Sequence, residues 1–279
     1  MWVISVNLDR VPTTNVNIPD VVRQAKLRLL RMHFESGVGH IGGNLSALDV
    51  LVCLYHRILQ PSDMFVLSKG HSAGAWYTTL ESIGALSDGD LRTFHKDGTR
   101  LSGHPPLTGI PEIPFATGSL GHGLGLACGV ALGRKLRGLP GRVFCLTSDG
   151  EWNEGSTWES LIFASHQPLE NLVIIVDSNG LQGFGSTAEV ADLGHLAGKF
   201  REFGVHTDEI DGHDCGEICS ALGSDEPGPR VVVAKTIKGC GVSFMENKME
   251  WHYLPLNESL YEQAVKEVLQ GCAMLSAVE

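Results

Sequence analysis

Two short apolar runs near the middle of the chain, residues 143–146 (VFCL) and 172–176 (LVIIV), each deliver an oxygen-bearing side chain just past their carboxyl end. These side chains are Asp149 and Asn179. If the runs are neighbouring parallel strands, both side chains reach the sheet edge where open α/β sheets bind ligands. A carboxylate and an amide oxygen are hard donors that suit Mg²⁺, which keeps few protein ligands and fills its octahedron with phosphate oxygens and water. Gly150 lets the backbone approach an anion, and the helix after it offers unpaired N–H groups and a positive dipole end. The pattern is that of a metal–diphosphate site. The same residues also fit an ordinary pair of strand–helix turns in which Asp149 only caps a helix.

Histidines add a second signal. Five of the twelve, His40, His71, His104, His122 and His252, lie in or beside Gly- or Pro-containing segments. Loops held by a rigid sheet carry function disproportionately. Imidazole donates to anionic oxygen and exchanges a proton near neutral pH. His33, His56, His95, His166, His195, His206 and His213 are assigned to ordinary core or surface positions. Lys69 and Lys238 can assist an anion or equally be solvated.

The elements that must position these groups alternate. Helical periodicity marks residues 21–34, with Pro19 in the first turn, then 46–57, 71–83 ending at Gly84, the Gly/Ala-rich 120–137, 215–222 and 257–269. Apolar strands are expected at 65–67, 143–146, 172–176, 205–210 and the β-branched 230–236, with 200–203 leading into the fourth. Helices alternating with buried strands give an α/β fold, a three-layer sandwich around a mostly parallel sheet of five to six strands. Residues 1–18 are expected to form an irregular arm, and 19–279 a single domain.

A chain of 279 residues, 43% hydrophobic, can bury one large core. A formal charge of −11 argues against nucleic acid or an anionic membrane as partner. It also means that an anionic cofactor is held by local features. The seven cysteines are scattered without a CxxC pair, and they read as reduced thiols of a cytoplasmic protein. Cys215 and Cys219 lie one helical turn apart, but no second ligand pair stands near them in sequence to suggest zinc. The first residues lack the pattern of a signal peptide, and no apolar run is long enough to span a membrane.

The segment Ser148-Asp149-Gly150, followed by Asp177-Ser178-Asn179-Gly180-Leu181, resembles the thiamine diphosphate signature. Ser148 and Ser178 depart from its usual glycine and asparagine. Five further segments resemble transketolases in the same order: Gly39–Gly43, Leu67–His71, Ser102–Pro105, Thr117–Gly123, and Lys235–Gly239 running on to Trp251-His252. Together they cover roughly residues 20–253, and the chain is identified as similar to the N-terminal, thiamine-diphosphate-binding (PP-type) subunit of a split transketolase.

The resemblance implies roles for particular residues. His40, His104 and His252 would face the substrate or the reacting carbon, and His71 and His252 would contact the diphosphate. Gly118, Ser119 and Leu120 would hold the aminopyrimidine, Leu120 through its carbonyl. His122 stands where the family often has Gln, and it can instead cap the next helix. Gly150 and Asn179 would touch the cofactor, while Asp149, Asn179 and the Leu181 carbonyl would bind Mg²⁺. Glu154 and Glu159 match acidic positions between active sites, although Glu154 can simply complement a helix N-terminus.

The expected activity is transfer of a two-carbon ketol unit from a ketose, often phosphorylated, to an aldose. The chain ends before the pyrimidine-binding domain, so a C-terminal transketolase subunit would supply that domain and the activating glutamate, in an α₂β₂ assembly. The alternatives are a thiamine-diphosphate carboligase on a specialised sugar or natural-product intermediate, a non-catalytic cofactor-binding subunit, and a 2-oxoacid dehydrogenase α subunit. The histidine segments disfavour the last.

Overall fold

A computed structural model describes residues 16–275. The expected arm lies outside the described residues up to position 15. In chain order the helices are α1 (Ile18–Ser36), α2 (Ile41–Cys53), α3 (Ala73–Ser82), α4 (Asp88–Leu91), α5 (Gly123–Leu136), α6 (Gly155–His166), α7 (Thr187–Ala191), α8 (Leu196–Glu202), α9 (Cys215–Gly223) and α10 (Glu258–Leu275). The strands are β1 (Met64–Leu67), β2 (Val143–Ser148), β3 (Leu172–Ser178), the two-residue β4 (Leu181–Gln182) and β5 (Gly185–Ser186), β6 (His206–Asp211) and β7 (Arg230–Lys235).

Five strands form one all-parallel sheet in the order β1-β2-β3-β7-β6, and β4 and β5 make a separate small hairpin. Strands β1 and β2 are buried throughout and β3 and β7 almost throughout, as expected for strands covered on both faces. Their side chains alternate between two cores. Phe144, Leu146, Ile175 and Val232 pack with α1, α2, α3, α9 and α10. Val143, Cys145, Ile174, Val176 and Val231 pack with α5, α6 and α8. The result is the three-layer arrangement. None of the helices among the described residues is long and apolar enough to cross a membrane.

Boundaries moved where local chemistry competes with periodicity. Helix α2 starts at Ile41 rather than Ser46, because the weak helix formers Gly42 and Gly43 are held in its first turn by tertiary packing. Gly42 is pressed against Lys238 and Trp251. The far end of α2 widens into a π-turn at Leu54–Ile58. The helix expected from His71 opens as a 3-10 turn, Gly70–Ser72, before α3, and Gly84 adopts φ +72° beyond its end. Helix α5 begins at Gly123, three residues late.

Candidate cofactor site

Register places the chemistry at one edge. Ser148 at the end of β2 pairs with Asp177 on β3, and Ser178 pairs with Lys235 on β7. Asp149 and Asn179 therefore leave adjacent strands at their carboxyl ends, and the Asp149 N–H donates to the Asp177 carbonyl (3.1 Å). Asp149 is buried, and its two oxygens accept from the N–H groups of Gly150 (2.7 Å) and Gly180 (2.6 Å). Burial, reinforced by the nearby Asp177 carboxylate, raises its pKa to about 6. A cation bound there would relieve both effects, so the donor set of Asp149 carboxylate, Asn179 amide oxygen and Leu181 carbonyl fits Mg²⁺ chemically. Asn179 is pre-oriented: its Nδ2 donates to Ser46 Oγ (3.3 Å), and its Oδ1 accepts from the Leu181 N–H (3.1 Å).

Beneath this pair lies a buried polar lattice. Lys69, at the end of β1, donates to Asp177 and to the Gly43 carbonyl (3.2 Å). Asp177 also accepts from Ser46 Oγ (2.6 Å) and Thr236 Oγ1. Lys69 and Asp177 are both fully buried, which removes the solvated reading of Lys69. Lys238 is buried as well, and desolvation lowers its pKa to about 8. Its Nζ donates to His252 Nδ1 (3.0 Å), which places that ring's proton on Nε2.

Four imidazoles from four segments meet above the lattice. Ring centroids are 5.7 Å apart for His40–His71, 5.6 Å for His40–His104, 5.1 Å for His40–His252 and 5.3 Å for His71–His252. His40 holds φ +69°, a left-handed conformation unusual for a residue with a Cβ. Two contacts fix it: its N–H donates to the His252 carbonyl (2.9 Å), and Asn44 Nδ2 donates to the carbonyls of both His40 (2.8 Å) and His71 (3.0 Å). The His104 segment is held by Tyr77 Oη, which donates to the Ser102 (3.0 Å) and His104 (3.2 Å) carbonyls. Burial is the main cause that depresses all four rings, His40 to about 4 and His252 to about 3, so they are neutral donors and acceptors at pH 7.

The segment around Gly118 forms one wall. Gly118 has φ +154° and passes so close to Gly70 that a Cβ on Gly70 would come within 2.8 Å of its backbone. Thr117 Oγ1 donates to the Leu67 carbonyl (2.6 Å). With Ser119, His104, His122 and Leu126 this segment lines an open trough of about 730 Å³. The Leu120 carbonyl accepts from the ring of His122 (3.1 Å), and His122 makes no capping bond to α5.

Glu154 and Glu159 are exposed on this chain, the first at the entry of α6 without a side-chain cap. The buried carboxylate of the segment is instead Glu151, which accepts from Ser68 Oγ and from the Gly121 N–H (2.8 Å), tying the Gly118 wall to β1. Sequence reasoning passed over Glu151; an acidic residue two positions from Asp149 was the one available signal. The turn itself rests on Trp152, packed with Trp158 (4.9 Å between centroids) and Phe200 (4.4 Å). Such pairs add about 0.5–1.5 kcal/mol each beyond area burial. Gly150 approaches the Gln182 side chain, with only 3.0 Å between a built Cβ and Gln182 Cβ.

Residues 23–270 match the family described as transketolase, thiamine diphosphate binding domain. One subunit of the apulose-4-phosphate transketolase of Actinobacillus succinogenes is 36% identical over 254 residues, covering 87% of this chain and 92% of that protein. One subunit of the 6-deoxy-6-sulfo-D-fructose transketolase of a Clostridium species is 37% identical, covering 83% and 89%. Human transketolase is 35% identical over 268 residues, but this chain spans only 42% of its length. The transketolase structure of Campylobacter jejuni superposes with a TM-score of 0.81 at 28% identity, over 91% of this chain and 43% of that one.

Proposed function

Because this chain belongs to the transketolase family through the thiamine diphosphate binding domain that spans nearly all of it, we propose that it is the cofactor-holding subunit of a two-subunit transketolase. It moves a two-carbon ketol unit from a ketose, phosphorylated in the form favoured here, to an aldose. Residues 19–279 act as one cofactor-binding domain in a cytoplasmic enzyme. The observation that carries this reading is the meeting of four neutral imidazoles beside Asp149 and Asn179 at the carboxyl ends of parallel strands.

Asp149, Asn179 and the Leu181 carbonyl hold Mg²⁺, with Gly150 beside the diphosphate. His71, His252 and Lys238 donate to its oxygens. The Gly118–Leu120 segment positions the aminopyrimidine. Bound thiamine diphosphate supplies the carbon nucleophile and electron sink of ketol transfer. His40, His104 and His252 hydrogen-bond the sugar hydroxyls, and as neutral bases they can take a hydroxyl proton and return it. Glu154 and Glu159, exposed on the isolated chain, become part of a contact between active sites in an α₂β₂ assembly.

With its partner, the chain should shorten a ketose by two carbons in coupled assays. His104→Ala should lower kcat by about a hundredfold or more while moving cofactor affinity little, as loss of a positioned acid–base group does. A complex that decarboxylates 2-oxoacids and ignores every ketose tested would replace this reading with a carboligase.

A partner is supported by the names of the two relatives that this chain nearly spans, each of which is a subunit of a larger transketolase. The trough beside Gly118 is open, and Leu126, Ile162, Phe163 and Phe184 are exposed. The partner supplies the second wall of the pyrimidine pocket and the activating glutamate. Purified chain with saturating Mg²⁺ and thiamine diphosphate should therefore show no ketol transfer, and addition of the partner should restore it. Robust turnover by the chain alone would sink the two-subunit proposal.

A further inference from the structure

The loop that delivers His40 is held by a histidine of α1. His33, in the last turn of that helix, is only 1% exposed. Its carbonyl accepts from the Gly37 N–H (3.0 Å), and its Nδ1–H donates to the Val38 carbonyl (3.1 Å). Only a protonated ring nitrogen can donate to a carbonyl, which fixes the tautomer. Burial keeps the ring neutral, with a pKa lowered to about 4. Beyond Val38 the chain passes Gly39, where a Cβ would come within 2.5 Å of the Tyr253 carbonyl, and enters His40 in its left-handed conformation. His33 thus grips the start of this loop through its backbone and its ring, while the His252 carbonyl holds the His40 N–H at its end.

The other ring nitrogen shows what the fold gives up for this grip. His33 Nε2 is buried and has no hydrogen-bond partner among the described residues. A buried polar atom in that state is destabilising. Around the ring stand Phe94, with centroids 5.5 Å apart, and Gly74 in the first turn of α3. A Cβ on Gly74 would come 2.8 Å from Nε2 and 3.0 Å from both Asn44 Oδ1 and the Met32 methyl. Glycine inside a helix weakens it relative to alanine, so α3 also gives up stability to admit this ring. Phenylalanine would fill the same place without an orphaned nitrogen. What it lacks is the donor to the Val38 carbonyl.

On the reading of His40 as a residue that meets the substrate, we propose that His33 is a positioning residue for ketol transfer: its Nδ1–H holds the Val38 carbonyl so that His40 faces the sugar hydroxyl. It acts through the backbone of residues 38–40 and touches no sugar itself. A displacement of about 1 Å caused far from the chemistry can cost on the order of a hundredfold in rate, so one hydrogen bond at the base of the loop is enough to matter.

The test compares His33→Phe, His33→Asn and His40→Ala in the chain assembled with its partner, Mg²⁺ and thiamine diphosphate. Phenylalanine keeps a ring but no donor, whereas the asparagine amide nitrogen can stand in for Nδ1. His33→Phe should lower kcat/KM for a ketose at least about tenfold, with melting temperature and calorimetric cofactor affinity close to wild type. His33→Asn should melt lower, because the packing on Phe94 is lost, yet keep kcat/KM within about threefold of wild type. Activity and stability then move apart in opposite senses, which a role in packing alone would not produce. Independently of turnover, amide exchange over residues 38–41 should run at least about tenfold faster in His33→Phe than in wild type. Wild-type exchange and kcat/KM in a folded His33→Phe variant would overturn the proposal. So would activity that follows melting temperature in both variants, or, where His33→Phe does not fold, an inactive His33→Asn. An impaired His40→Ala beside a fully active His33→Phe would remove this role and leave the reading of the site standing. Full activity in His40→Ala would remove both.

Discussion

Asp149→Ala should abolish Mg²⁺-dependent binding of thiamine diphosphate to the assembled enzyme, a loss of more than about a hundredfold, because even outer partners of a metal ligand cost roughly ten- to a hundredfold. The residue does two jobs that the substitution removes together. It is the one carboxylate in the proposed Mg²⁺ donor set, and it accepts the N–H groups of Gly150 and Gly180, which ties the turns after β2 and β3 together. Asparagine is no neutral replacement, since its NH₂ would face one of those two donors. The measurement is calorimetric titration of cofactor with and without Mg²⁺, beside a thermal melt. If the site is as proposed, Mg²⁺ dependence vanishes while the melt moves only by the loss of two hydrogen bonds, partly offset by relief of repulsion with Asp177. Unchanged affinity in a folded variant would remove the metal assignment.

Why Asp149 was legible from the sequence, and Lys69 was not, follows from where each side chain finds its partners. Asp149 and Asn179 follow runs of five or so apolar residues, and a buried parallel strand has only one carboxyl end at which to release the chain. Local pattern therefore fixed their place, and the register of β2 on β3 put them side by side. His40, His71, His104 and His252 were legible as a set through their surrounding Gly and Pro residues. Their convergence to within 5–6 Å is a tertiary fact: it depends on Asn44 bridging the carbonyls of two of them.

Where partners are remote, sequence reasoning left alternatives open or passed over a side chain. Lys69 reads as either an anion-assisting or a solvated side chain, because its counter-charge lies 108 residues away. Glu151 escaped notice for the same reason, its hydroxyl partner Ser68 being 83 residues distant. Glu154, just before α6, and Glu159, on it, are exposed on this chain. Helix starts slipped where glycine hides them: α2 begins at Ile41 despite Gly42 and Gly43, and α5 waits until Gly123. Helix α8 and the β4–β5 hairpin were not anticipated, since each is too short to show a period.

Lys69→Met should be among the most destabilising single substitutions in this chain, at about 3–5 kcal/mol, the range for stripping one partner from a buried ion pair. Lys69 and Asp177 have no access to water, so Asp177 would be left with two hydroxyl donors and without its ion-pair partner. The cost is local to the site as well as global. Lys69 also holds the Gly43 carbonyl, and Asp177 orients Ser46, which in turn positions the Asn179 amide. Urea titration should register the loss as a lower midpoint at unchanged slope. Cofactor affinity should fall in the same variant, because the first turn of α2 and the end of β3 lose their common anchor. Removing both charges with Lys69→Met and Asp177→Leu should recover much of the stability, since a buried pair replaced by apolar groups is often close to neutral. It should recover none of the cofactor affinity, because Ser46 and Thr236 then lose the acceptor that orients them. A double variant that regains both would mean that the pair serves folding alone and that Asn179 is positioned by something else.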